Sequence, residues 1–198
     1  PKDLPQSIVI FGWLAPTKKS AQFFPLEIID FIVGSGGFRS RLFQEIRTNR
    51  GLAYSTGSFY TAKSDYGLFG AYALTKSEST VEVISLLRGI LRDISQKPLP
   101  AKELDMTKSS ILNSFIFSFS SANQIALQQL MIEYENLPED YLMTYRNRIN
   151  NVKTEDVLKA ARQHLDPEKA IVLIVGNDAV CQEISASFKD VKKIEYPL

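Results

Sequence analysis

Apolar residues recur along this chain at two spacings, and the changes from one spacing to the other divide it into elements. Residues 7–14 (SIVIFGWL) form a nearly unbroken apolar run between Pro5 and Pro16, the pattern of a strand buried on both faces. Over residues 23–33 the spacing becomes helical, with Phe24, Ile28, Phe31 and Ile32 on one side, and glycines at 34, 36 and 37 end the helix. Phe38, Leu42, Phe43 and Ile46 make a second helical stripe facing a core, and Gly51 stands where that helix stops. The period then falls to two. Ala53, Ser55, Gly57 and Phe59 go to one face, and Tyr54, Thr56, Ser58 and Tyr60 to the other. A strand over 53–63 and another over 66–76, with Ser64-Asp65 between them, read as a hairpin. Gly67 and Gly70 in its second arm signal a bulge or a close backbone approach.

Helical spacing returns after the hairpin. Ser79 with Glu82 fits a capping box for a helix to about residue 95, buried along Ile84, Leu87, Leu91 and Ile94. The sequence Lys97-Pro98-Leu99-Pro100 breaks the chain, and residues 101–137 read as a long helical region interrupted near 118–121, where SFSS collects poor helix formers. Phe115, Phe117 and Phe119 are expected in the core. Pro138 suits a helix start, with Tyr141, Leu142, Tyr145 and Ile149 facing inward, and Thr154 caps the next helix. Residues 170–175 (AIVLIV) read as a central strand, 179–188 as a last helix, and 192–197 as an edge strand or tail. The order points to an α+β fold: a mixed, largely antiparallel sheet with helices on one face, in a single domain over residues 1–198.

Composition narrows the chemistry. With 198 residues, 44% hydrophobic and 23% charged, the chain can bury a substantial core without staples, and neither disorder nor a fibre is indicated. A net charge of +1 without long runs of one sign gives no reason to expect nucleic acid or an acidic membrane surface as a partner. No apolar run approaches a membrane span, and no basic-then-apolar signal segment is visible, so the compartment stays open between a bacterial periplasm and cytoplasm. Cys181 is the one cysteine and cannot close an internal disulfide. The chain begins at Pro1, which suggests a piece of a longer protein. Its one histidine, His164, lies near a helix C-terminus, where a surface or capping role is ordinary. No metal site is expected in this chain, because a hydrolytic zinc needs three protein ligands and an open position. Nor does a G-x-S-x-G elbow accompany His164 to suggest a serine triad.

What remains is the stretch 34–58, GSGGFRSRLFQEIRTNRGLAYSTGS. Its glycines lack the preceding strand and the following Gly-Lys-Ser/Thr of a phosphate cradle. Arg47 near the helix end and Tyr54 early in the strand flank one turn. Both are hydrogen-bond donors rather than bases or nucleophiles, suited to an oxygen that carries negative charge. Arg39, Arg41 and Arg50 read as surface or interface charges. In the bland alternative, Arg47 pairs with an acid elsewhere in the fold and Tyr54 packs in the sheet.

The segment SRLFQEIRTNRGLAYS resembles the second, non-metal-binding type of domain in pitrilysin/insulinase-like zinc metallopeptidases (inverzincins), over about residues 7–177. The resemblance implies an α+β half-domain whose arginine and, seven residues on, tyrosine reach across a cleft to a peptide substrate; Arg47 and Tyr54 stand at that spacing. It also implies zinc in a partner H-x-x-E-H domain, on the same polypeptide or a second subunit, which would leave this chain inactive by itself. Two functions are compatible with it: the substrate-binding half of a zinc metalloendopeptidase, or a non-catalytic structural or assembly subunit of the same fold.

Overall fold

A computed structural model of the chain describes residues 5–194. Four strands form one sheet in the order β2-β3-β1-β4: β1 (Gln6–Ala15), β2 (Ala53–Ala62), β3 (Gly67–Lys76) and β4 (Ile171–Val175). Each pairing is antiparallel, so the described sheet is antiparallel throughout rather than mixed. β1 lies in the middle, with Phe11 opposite Ala71 of β3 and Val172 of β4. Its alternation is strict: Val9, Phe11 and Trp13 are buried beneath the helices, together with Phe69, Ala71 and Ala73 of β3.

Over that inner face pack α1 (Phe23–Asp30), α2 (Thr80–Gln96) and α6 (Thr154–His164). α2 carries the expected stripe of Ile84, Leu87, Leu91 and Ile94 inward. Its expected capping box does not form, since the Ser79 side chain makes no capping bond. Thr80 takes over there, its hydroxyl donating to the Ser77 carbonyl at 2.7 Å and pairing with the buried Ser7 hydroxyl. The long helical region breaks where poor helix formers collect. α3 (Ala101–Phe115) passes through a single 3-10 turn into α4 (Ala122–Tyr134), and the Ser121 hydroxyl accepts from the Gln124 amide to start the new helix. α5 (Tyr141–Asn151) begins three residues after Pro138. α7 (Asp178–Ser187) opens on Asn177, whose side chain accepts from the Val180 amide.

Two expectations fail. β4 was expected as a central strand, and it lies at the sheet edge. Its residues Ile171, Leu173 and Val175 are exposed on the outer face, beside the half-buried Ile8 and Ile10 of β1. An apolar run shows that a strand has two apolar faces, and it does not show that this chain covers both. Phe117, expected in the core, is 70% exposed, while Phe115 stacks on Tyr145 with ring centroids 4.3 Å apart. Residues 191–194 are irregular, and the rest of the expected edge strand or tail over 192–197 lies outside the described residues.

Candidate functional site

The site is a turn between a π-helix and a bulged strand. Residues Phe31–Ser35 form a π-helical turn continuing α1, in which Gly34 presses on β2: a Cβ there would meet the Ser58 amide nitrogen at 2.0 Å. Gly34 is therefore close-packed under the sheet, whereas Gly37, at φ +65°, is exposed with open space around it. Gly37–Arg39 make one 3-10 turn, and Ser40 is extended, so the helical stripe expected from Phe38 is cut at Ser40. Phe38 is 75% exposed as a result, whereas Leu42 and Ile46 are buried as expected. Phe43–Asn49 wind as a π-helix. Gly51 adopts φ +64°, a left-handed conformation that ends it, and the Gly51 and Leu52 amides donate back to the Arg47 and Ile46 carbonyls.

β2 then begins with a bulge. Ala53 pairs with Thr75 and Ser55 with Leu74, which leaves Tyr54 as the extra residue. The Tyr54 carbonyl is thus free of the ladder and accepts a hydrogen bond from the Arg47 guanidinium at 2.6 Å. Thr75 donates its hydroxyl to the Leu52 carbonyl at 2.6 Å and pins the start of the strand. The guanidinium also lies over the Phe43 ring, 4.8 Å from its centroid. Phe43 is the functional neighbour that sequence reasoning had placed in a core stripe. Its spacing of four residues from Arg47 on a helix was the available signal.

Arg47 and Tyr54 are both exposed, Tyr54 by 61%. Among the described residues no carboxylate pairs with Arg47, and the Tyr54 hydroxyl has no hydrogen-bond partner. The acids nearby are taken by other arginines. Arg50 holds Glu45 at 2.8 Å and reaches Glu82, and Arg41 holds Glu103 through two bonds of 3.2 and 2.9 Å. The turn therefore presents a phenol O–H and the remaining guanidinium N–H groups outward. That set can grip carbonyl oxygens or stabilise an oxyanion, and has nothing that could act as a nucleophile.

Metal chemistry finds no footing here. Among the described residues no group of three or more His, Cys, Asp or Glu side chains is placed to hold an ion. His164 closes α6, and its Nε2 contacts the Gln22 side chain, with burial lowering its pKa. No described helix is long and apolar enough to cross a membrane.

A family model for the peptidase M16 inactive domain matches residues 1–111, more than half of the chain. The chain belongs to that family. An uncharacterized zinc protease of Streptomyces coelicolor is 28% identical over 173 residues, covering 85% of this chain and 37% of the relative. A non-peptidase homolog of Helicobacter pylori is 25% identical over 176 residues, covering 89% of this chain and 41% of the relative. The chain thus spans about two fifths of the length of these relatives. The crystal structure of a peptidase M16 inactive domain from Pseudomonas fluorescens superposes with a TM-score of 0.79 at 24% identity, covering 88% of this chain and 41% of that one. The M16 inactive-domain fold agrees with the α+β architecture and with the resemblance read from SRLFQEIRTNRGLAYS.

A second polar cluster lies inside this fold. Glu27 of α1, half-buried with its Oε2 inside the fold, accepts from the Tyr145 hydroxyl at 2.5 Å, and desolvation raises its pKa to about 7. Burial raises Asp30 as well, although Ser58 donates to its carboxylate at 2.6 Å. Tyr60, Tyr141 and Tyr145 are pushed upward by burial and then by the Glu27 charge. Burial lowers Lys18. For Glu135, burial acts to raise the carboxyl, and the Ser64 amide at 2.6 Å and the Lys63 ammonium outweigh it, holding the group below the ordinary range.

Proposed function

We propose that this chain is the substrate-binding half of a zinc-dependent metalloendopeptidase, in which it closes over a separate H-x-x-E-H domain and supplies Arg47 and Tyr54 to the peptide. The observation that carries this reading is the pair of outward donors at the bulged turn. Arg47 is held by one backbone carbonyl and one aromatic face, so its direction is set while part of its donor capacity stays open. Tyr54 offers its hydroxyl to solvent from a position that a bulge, rather than the regular ladder, defines.

Attack on a peptide carbonyl moves negative charge onto its oxygen. Tyr54 would donate a neutral hydrogen bond to that oxygen, and Arg47 would hold a neighbouring backbone carbonyl of the peptide. Because no described residues of this chain are placed to hold a metal, the hydrolytic zinc is assigned to the partner domain, on the same polypeptide or on another subunit. Zinc protease relatives more than twice as long as the matched segment support that arrangement. The chain's own contribution is to orient the peptide and stabilise the charge that develops.

Steady-state kinetics on the full two-domain or reconstituted enzyme test the proposal. Tyr54→Phe is expected to lower turnover by about a hundred- to a thousandfold, the usual effect of losing one oxyanion donor. Arg47→Ala should also raise KM. Zinc content should not change in either variant. Near-wild-type kinetics in both would favour the second reading, a structural or assembly subunit, for which the non-peptidase name of the Helicobacter pylori relative is the specific support.

A further inference from the structure

Tyr54 faces solvent against the alternation of its own strand. Thr56 and Ser58, two and four residues on, share its side of a regular strand, and both are buried. The ladder explains the exception. From Ser55 onward the pairing is regular: Ser55 with Leu74, Thr56 with Ala73, Gly57 with Tyr72. Continued by one step, it would set Tyr54 against Thr75, which is 3% exposed on the helix-covered face with Ala71 and Ala73. Ala53 takes that place instead and is buried there, while Tyr54 becomes the extra residue. The bulge therefore turns the phenol from the core to solvent, and a slip of one residue would turn it back.

Side chains hold the odd residue in place from both sides. On one side the Thr56 hydroxyl donates to the Tyr72 carbonyl at 2.8 Å and fixes the regular part of the ladder. On the other the Thr75 hydroxyl donates to the Leu52 carbonyl at 2.6 Å, while the Leu52 amide donates to the Ile46 carbonyl at 2.9 Å. Leu52 is thus tied at once to β3 and to the π-helix that carries Arg47. Thr75 is a firm anchor, because β3 is an inner strand and pairs this residue with Ser7 of β1 as well as with Ala53. β2, by contrast, is an edge strand of the described sheet, with no neighbour beyond it there to resist a slip. Between the two fixed points the strand has one residue too many, and Tyr54 is left out of the ladder.

We infer that Thr75 is a positioning residue: its hydroxyl selects the bulged register and so sets Tyr54 outward beside Arg47. That role bears on catalysis only through the contact of Tyr54 with peptide proposed above, whereas the hold on the register is a property of the fold itself. Without the hydroxyl the Leu52 carbonyl loses a donor, and the regular register, with Tyr54 drawn toward the covered face, becomes competitive. Arg47 supplies a bond to the same bulge, but from an exposed side chain. Thr75 makes its bond from a buried position, where water replaces a lost donor less readily. Thr75 touches no substrate and acts wholly through Tyr54.

Thr75→Val keeps the branched shape and removes the hydroxyl. In the full two-domain or reconstituted enzyme it should lower kcat by about ten- to a hundredfold, short of the loss expected for the Tyr54 hydroxyl itself. Thr75→Ser, which keeps the hydroxyl, should restore most of that loss. In a Tyr54→Phe background Thr75→Val should lower kcat no further, because both changes act on one group. Crystal structures of the same enzyme read the register directly: position 75 pairs with Ala53 in the wild type and should pair with Tyr54 in Thr75→Val. Thr75→Ala is the second variant if the first does not fold. An Ala53 pairing kept in both variants overturns the inference, and so does a loss of kcat that persists in the Tyr54→Phe background. Wild-type turnover in Tyr54→Phe together with a shifted register would confirm the hold of Thr75 on Tyr54 and overturn the peptide-binding reading alone.

Discussion

Tyr54 and Tyr145 present the same phenol to opposite surroundings, and the difference separates the surface proposed to bind peptide from a structural network. Tyr145 donates to a carboxylate that burial has raised to a pKa of about 7, in a set of three tyrosines, Tyr60 of β2 and Tyr141 and Tyr145 of α5. Tyr54 sits on a bulge at a strand start, 61% exposed, with its hydroxyl free among the described residues. Strongly shifted titrations often mark a functional site. Here they mark the interior, where among the described residues Glu27 has one hydroxyl partner on one oxygen and none on the other. The candidate site offers instead donors that need no change of protonation, and its signature is geometric: a left-handed glycine, a bulge and a guanidinium fixed on an aromatic face.

The largest expected effect sharpens that contrast on the exposed side. In the full enzyme Tyr54→Phe should lower turnover by about 2.7–4 kcal/mol of transition-state free energy. Its thermal midpoint should stay near wild type, because the hydroxyl supports nothing in the fold. A large loss of stability with little loss of turnover would reverse the assignment of the two tyrosines.

Next comes Glu27. Its folded pKa of about 7 lies above the ordinary value of 4.5, so the folded state holds its proton more tightly than the unfolded chain does. Stability from this group is therefore full below about pH 4.5 and is lost as pH rises through 7. At about 1.36 kcal/mol per pKa unit, the cost at pH 8 is on the order of 3 kcal/mol. Glu27→Gln keeps an acceptor for Tyr145 and removes the charge, so it should raise stability at pH 8 and change it little at pH 4.5. Asp30, raised in the same direction, leaves a residual slope in the variant. Denaturant midpoints at the two pH values check this, and equal gains at both would show that the charge is not the cause.

How much of this was legible in the chain differs between the two regions as well. The Arg47–Tyr54 pair, the glycine stop at Gly51, the hairpin and the helix break near 118–121 all depend on neighbours close in sequence, and local pattern reaches them. Glu27 stands between Leu26 and Ile28 in an apolar helix, but its tyrosine partner is 118 residues away. The close approach of Gly34 to Ser58 is likewise a contact between distant segments. The exposure of Phe38 follows from a single extended residue, Ser40, that spacing alone passes over. β4 was misplaced because continuous apolarity reports two apolar faces and not the strand's neighbours. The bulge at Tyr54 is a departure from the period of two that the strand otherwise obeys, so the period could not announce it.

A smaller effect belongs to the interior tyrosine. Tyr145→Phe removes the one donor to the Glu27 carboxyl and keeps the ring that stacks on Phe115. A hydrogen bond to a charged group is worth about 1.5–3 kcal/mol, so at pH 8 stability should fall by roughly that amount. At low pH the carboxyl is neutral and the loss should shrink toward about 1 kcal/mol. That bond lowers the Glu27 pKa, so the variant should also move the midpoint of the pH dependence upward. A loss independent of pH would mean that packing, rather than the carboxylate, dominates at this position.

The smallest expected effect is the stability of Arg47→Ala, and it is the most discriminating. In the fold the guanidinium makes one bond to the Tyr54 carbonyl and one face contact with Phe43. The carbonyl lies at an exposed bulge where water can replace the arginine, so its desolvation cost does not appear on truncation. An exposed cation–π contact contributes about 0.5–1 kcal/mol. Arg47→Ala should therefore lower stability by no more than about 1 kcal/mol, close to the ordinary range for a surface position. The contrasting arm is Arg41→Ala, which breaks a two-bond ion pair between the turn and α3 but removes no outward donor from the Arg47–Tyr54 pair. Its signature should be a modest stability loss with peptide binding retained, whereas Arg47→Ala should lose peptide binding with stability retained. Urea unfolding of both variants, set beside peptide affinity in the full enzyme, reads the two losses separately. An unfolding cost for Arg47→Ala well above that of Arg41→Ala would make Arg47 a strut of the turn, and the exposed donors would then have no claim on a substrate.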